Sequence, residues 1–392
     1  MPDDPPPLPP DLAERLADLD ISNPQDLAKL FALEAELSAA AGLEHPDSPS
    51  PETQPDEPTP AYLAAADPSV SLEKFIPLVG PDHAQLTDTQ SLLFPACLAG
   101  SLDKATWLLD QGLDPNHADH DASTPLIYAS LPGRFANLDL LQHLLNLGAD
   151  PNARSSHHES PLSLLTREGN YEGARLLLAH GADPTAFPPL HQAAAAGDLP
   201  KILSLLTTQT IELQTIWGRT PWLTAIHADQ VPAARLLQSQ GANTKATGQS
   251  KETALHLAAE ANACVSVAYL LSQGHNLESR ASFSNTPLHN AVENDSVEAT
   301  RLLLDAGADL HALTESADAP VSFADSLPML ELLHAHRANL NQIDSKGRHL
   351  LQNFADGNDL PAIQWLLAHG ADLTLLPPED RALINSLSPN NQ

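Results

Sequence analysis

Residues 286–309 read TPLHNAVENDSVEATRLLLDAGAD, and the fold follows from this stretch. Thr286 before Pro287 marks a helix start. The hydroxyl accepts from an unpaired first-turn amide, and proline at the first helical position has no N–H to leave unpaired. A short helix follows with Leu and Ala inward, as also in Leu255-His256-Leu257-Ala258-Ala259. After a polar turn, Leu302-Leu303-Leu304 ride on a second helix. Gly307 ends it, because a residue without Cβ accepts the left-handed conformation there.

The same signs recur. Gly148-Ala149-Asp150, Gly181-Ala182-Asp183 and Gly370-Ala371-Asp372 each follow paired or tripled leucines, with variants at Gly112, Gly241 and Gly274. Neighbouring glycines are mostly about 33 residues apart, the period of one helical-hairpin repeat. Thr124-Pro125 and Thr220-Pro221 repeat the start signal.

Thr-Pro-Leu-His at 286–289, Thr-Ala-Leu-His at 253–256 and the Leu-Leu…Gly-Ala-Asp ends resemble the ankyrin repeat. The resemblance covers roughly residues 87–375 in about nine units. They begin near Ser91, Thr124, Ser160, Pro188, Thr220, Thr253, Thr286, Ala319 and His349. It implies an all-α ankyrin-repeat solenoid of helix-turn-helix repeats with short β-hairpin loops. It also implies that His191, His256 and His289 bond the backbone of an adjoining hairpin rather than a metal or substrate.

Several units depart from the pattern. The second carries an insertion around Leu131-Pro132-Gly133-Arg134, and the Asp183–Pro188 link is too short for a full hairpin. The fourth has Gln209, and the eighth Arg337, where glycine is expected; the eighth is also shortened in its first helix, Val321–Asp325. Such failures mark a bend or a specialised surface, or plain drift.

Composition sets the outer bounds. The 392 residues carry a net charge of −31, which disfavours phosphate backbones and anionic membrane surfaces. Cys97 and Cys264 are the two cysteines and lack CxxC spacing, which suits a reducing compartment and argues against a disulfide framework or thiolate zinc site. Neither a signal peptide nor an apolar run long enough for a membrane helix is evident. The expected setting is cytoplasmic and/or nuclear, as a monomer. Residues 1–60 form an acidic, proline-rich tail with a helical segment near 11–42. Residues 61–86 are a capping segment containing short helices at 61–66 and 72–79, and 376–392 a C-terminal tail.

No nucleophile elbow, phosphate loop or His-Glu-x-x-His helix is present, and no cofactor is implied. The recurring Asp150, Asp183, Asp309 and Asp372 belong to the repeat. Trp107, Trp365 and Tyr269 sit beside the leucines as core, and Cys97 and Cys264 read as inert thiols. The chain is not expected to be an enzyme. Repeat arrays bind through surfaces built by successive units, so the expected function is a protein-interaction scaffold or adaptor. Carrying the ankyrin pattern over residue by residue places partner contacts at His120, His157, Arg167, Trp217, Arg219, Lys251, Glu260, Phe283, Asn285, Glu293, Lys346 and Arg348. His227 joins them on the exposed side of a first helix. Trp217 has packing on a hairpin as an equal alternative. The negative field favours a basic partner surface. An alternative is a ubiquitin-ligase substrate adaptor, from a faint F-box-like Leu8-Pro9 start and Asp26-Leu27. An enzyme or accessory protein in a degenerate array is the third reading.

Overall fold

The computed structural model describes residues 59–79, 92–131, 136–357 and 359–377, with residues 380, 381 and 384. The tail helix near 11–42, the F-box-like segment, the loop at 132–135 and most of the C-terminal tail lie outside them. The chain divides into two compact bodies, residues 1–165 with 172–182, and residues 166–171 with 183–392.

In the first body, helices Pro60–Ala66 and Leu72–Val79 pair with each other and stack on the pair Leu93–Leu98 and Leu102–Asp110. Lys104 fastens this joint. Its ammonium is buried and donates to the carbonyls of Ala64 and Asp67, at the end of the first helix where backbone oxygens lack intrahelical donors. Phe75 is fully buried and meets Trp107 edge-on at 6.0 Å. Trp107 is half-buried, so it roofs the core instead of filling it. Pro125–Ser130 and Leu138–Asn146 form the next pair, and their Leu126, Ile127, Leu140, Leu141 and Leu144 are buried.

The second body continues the alternation. Its pairs are Pro189–Ala196 with Leu199–Leu205, Pro221–His227 with Val231–Ser239, Ala254–Glu260 with Cys264–Ser272, and Pro287–Glu293 with Val297–Asp305. In the eighth unit the 3-10 turn Pro320–Phe323 replaces the first helix before Leu327–Ala335, and Leu350–Asp356 pairs with Leu360–Ala368. One apolar spine runs through the pairs, including Trp222, Leu237, Leu255, Leu270, Leu288, Leu303, Leu333 and Leu366. Tyr269 is buried in it; Trp365 is half-buried and stacks on His369 at 4.1 Å. Cys97 is buried, whereas Cys264 is partly exposed.

The helix signals act as the sequence indicates. The hydroxyls of Thr124, Thr220 and Thr286 accept from the amides of Ile127, Leu223 and His289. Gly307 takes φ +92° while Ala308 N–H closes onto Leu303 O at 3.0 Å. Arg337 adopts the same left-handed conformation, φ +69°, with Ala338 N–H on Leu333 O. The fourth unit solves the problem differently. Its helix stops at Leu205, and Thr207 and Thr210 close the turn with side-chain hydrogen bonds, so Gln209 needs no left-handed backbone.

The expected β-hairpins are tighter than strands. Among the described residues the pairing is a single bridge, Ile343 with His349. Each connection is a five-residue tip closed by an amide-to-carbonyl bond, such as Thr215 to Arg219 at 3.0 Å, Gly248 to Glu252 at 2.8 Å and Ala281 to Asn285 at 2.9 Å. The Asp183–Pro188 link lacks such a tip. A 3-10 turn at Pro184–Ala186, capped by Asp183, takes its place.

Candidate functional site

The histidines at the position that follows Thr-Pro-Leu in residues 286–289 are structural. His191, His256 and His289 are fully buried, and their Nε2 atoms lie 3.0, 3.0 and 3.2 Å from the carbonyls of Arg219, Asn285 and Asp318. Each ring bolts its first helix to the following tip. Burial pushes His191 and His289 down to about 4, so both bolts are neutral imidazoles. Among the described residues no group of three His, Cys, Asp or Glu side chains is arranged to hold a metal.

A second polar cluster forms where the tip is missing. Residues 166–171, the end of the third unit's first helix and its turn, belong to the second body and meet the fifth unit directly. Arg219 donates to Thr166 O at 3.1 Å and lies 3.5 Å from Glu260 Oε1. His227 Nε2 stands 3.8 Å from the same Glu260 oxygen, and its Nδ1 is 3.0 Å from Tyr171 Oη. Tyr171 stacks on Phe187 at 5.6 Å, where the truncated link runs. Gly169 is required here, because a Cβ would stand 2.2 Å from the His227 ring.

Electrostatics fixes the protonation states. Burial, reinforced by the Arg219 cation, drives His227 down to about 4. Burial lifts the Tyr171 hydroxyl to about 12. Burial alone would raise Glu260, but the adjacent His227 ring and the Arg219 charge outweigh that and hold it low. The cluster at neutral pH is therefore a guanidinium–carboxylate pair beside a neutral imidazole and a neutral phenol. Desolvation and the Glu260 carboxylate push Glu293 up. Arg167, His227, Glu260 and Glu293 each end the first helix of their unit, so they hold equivalent positions in their repeats.

Above this cluster lies a cleft of about 370 Å³ lined by Arg167, Glu168, Trp217, Arg219, Gln249, Ser250, Glu252 and Glu260. Arg167 sits 4.9 Å over the half-buried Trp217 ring and pairs with Glu168 at 2.8 Å. Glu252 accepts from Ser250 N–H at 2.8 Å.

The structure thus gathers Arg167, Trp217, Arg219 and Glu260 at one place, and corrects two expectations there. Arg219 is not a surface contact. Its side chain is 7% exposed because the missing tip lets it turn inward onto Thr166 and Glu260. His227 is likewise buried, drawn in by Tyr171. Arg348 is a third correction, since it folds back onto Asn353 and Asp356 of its own unit. Asn285 is half-buried and engaged through its backbone carbonyl. His120, His157, Lys251, Phe283, Glu293 and Lys346 are exposed but dispersed along the array. Thr166, Tyr171 and Phe187 escaped the sequence reading. Its signal was present in the short link, which removes whatever would stand between units three and five.

Three copies of an ankyrin-repeat family model match residues 93–188, 190–281 and 246–314. The chain is similar to "Ankyrin repeat protein nuc-2" of Neurospora crassa, 30% identical over 172 residues, 42% of this chain and 16% of that protein. It resembles human "Cyclin-dependent kinase inhibitor 2A" at 30% identity over 115 residues, 28% of this chain and 73% of the relative. Human "Ankyrin repeat and SOCS box protein 16" is 32% identical over 148 residues, 34% of this chain and 32% of that protein. The chain therefore spans only a small part of nuc-2 and about a third of the SOCS-box relative. With matches over more than half its length, helix pairs at the matching period and histidine bolts in the matching places, the chain belongs to the ankyrin-repeat family.

Proposed function

We propose that the chain is a protein-interaction scaffold or adaptor of the cytoplasm or nucleus, and that its tips and inner helix row bind a protein partner with a basic surface. The observation that carries this reading is Phe283. It is 75% exposed and held at φ +56°, beside Ser284 at φ +61°. A left-handed non-glycine residue costs on the order of 1 kcal/mol. An exposed phenylalanine repays none of that within its own fold, and exposed aromatics are the usual anchors of interfaces. The charge of −31 speeds encounter with a basic surface and makes binding weaken with salt. Rigid display of preformed tips limits the ordering cost of association.

The test is affinity capture from the native cell with wild type, Phe283→Ala and Phe283→Gly. Both variants are expected to lose partners, while Phe283→Gly gains about 1 kcal/mol of stability because glycine relaxes the backbone. Variants that keep every partner overturn the assignment of this tip.

A further inference from the structure

The tips of the second body are zipped in series through the amide of their second residue. Gln249 N–H donates to Trp217 O at 2.9 Å, Ser282 to Ser250 O at 2.8 Å and Glu315 to Phe283 O at 2.8 Å, while Ser345 donates to the Asp318 carboxylate. Ile216 holds the same place in the first tip of this series, Thr215–Arg219. The truncated Asp183–Pro188 link supplies no preceding tip. The Ile216 amide has no hydrogen-bond partner among the described residues. Ile216 is 54% exposed, and nearby Leu213 is 41% exposed. The series begins with an open edge, a free donor flanked by apolar surface. Such edges are templates for an added extended segment.

A second observation fixes the chemistry of what is added. Trp217, the next residue, walls the cleft described above. Three carboxylates line it, Glu168, Glu252 and Glu260, against two guanidiniums, Arg167 and Arg219. The excess is one negative charge, in a chain already strongly acidic. An acidic occupant meets repulsion there, and a cationic side chain beside an indole meets attraction.

We propose that this edge is the docking site for an extended basic segment of a partner protein. One carbonyl of the segment accepts the Ile216 N–H, and an apolar side chain covers Ile216 and Leu213. A neighbouring Lys or Arg, pointing to the other side as alternation requires, enters the cleft mouth. The segment takes the place of the tip that the fourth unit lacks. This inference rests on the protein-interaction reading, but not on Phe283.

The test pans a displayed library of short random peptides on the full chain. Enriched peptides are then titrated against wild type, Ile216→Ser and Phe283→Ala. Serine already holds the equivalent place at Ser282 and Ser345, so Ile216→Ser should keep the tip. Enriched peptides should carry net positive charge and lose roughly tenfold or more in affinity with Ile216→Ser, and Phe283→Ala should bind them unchanged. Amide exchange should find the Ile216 N–H unprotected in the free chain, unlike Gln249, and protected in the complex. An Ile216 amide as slow as Gln249 in the free chain overturns the proposal. So does a library that yields no binder, yields acidic binders, or yields basic binders indifferent to Ile216→Ser. Native partners lost with Phe283→Ala but kept with Ile216→Ser would leave the general reading standing and remove the edge.

Discussion

Units six and seven, residues 253–309, and the stretch from Thr166 to His227 are built on the same repeat but held together differently. In the regular units each histidine reaches the next tip, each tip amide reaches the preceding tip, and Leu255, Leu270, Leu288 and Leu303 fill the space between. All of these contacts join nearest neighbours, as expected of a solenoid. Around the missing tip, Arg219 and His227 reach over the fourth unit to Thr166 and Tyr171 of the third. Losing one short loop changed the range of the interactions and exchanged backbone pairing for a buried, charged network. A regular repeat is stabilised by many small equivalent terms. The irregular one depends on a few side chains whose loss is costly.

The sharpest way to break that comparison is Arg219→Ala. It strips Glu260 of its buried cation and Thr166 O of its donor. Removing one partner of a buried pair costs about 3–5 kcal/mol, to be read from urea unfolding. Loss of under 1 kcal/mol would mean that the fourth unit is held by apolar packing alone.

Acid should weaken both regions. His191, His227 and His289 have folded values near 4, below the ordinary 6.5. The unfolded chain therefore binds more protons between those values. Their contribution is complete above pH 6.5, declines as pH falls toward 4, and is about 3 kcal/mol per histidine at its largest. Unfolding midpoints should stay flat from pH 8 to 7 and drop steeply between about 6 and 4. A midpoint independent of pH across that window would show that the rings are not buried as bolts.

Smaller changes sharpen the contrast. Thr286→Ala removes a helix cap in a regular unit and should cost about 1 kcal/mol. Tyr171→Phe deletes the hydroxyl bonded to His227 and should cost a similar amount, about 1 kcal/mol. Their double mutant should be additive, since the two sites share no partner. Arg337→Gly is the smallest expected effect, a gain of about 0.5–1 kcal/mol from relief of the φ +69° backbone. A loss there would show that the Arg337 side chain makes a contact worth more than its strain.

Much of this was legible in the chain itself. Thr-Pro caps, paired leucines and terminal glycines are local devices, and each acts within a few residues of where it is read. They determined the nine units, the helix pairs, the inward histidines and the shortened eighth unit. The sign of the molecular field is equally a property of composition. Exposure of the tip residues was only partly legible. Phe283 and Lys251 face outward as expected, but Arg219, placed in the same kind of tip, does not.

Tertiary structure alone decided that difference. Whether a charged tip residue meets water or turns inward depends on what occupies the neighbouring repeat. The sequence records the short Asp183–Pro188 link but not which side chains enter the space it leaves. Long-range polar pairing is set by that packing geometry, because a guanidinium commits to burial only where a carboxylate and a backbone carbonyl converge on it. The sequence by itself determined the repeat and its charge. The fold determined that one missing tip would become a buried network on one side and an open edge on the other.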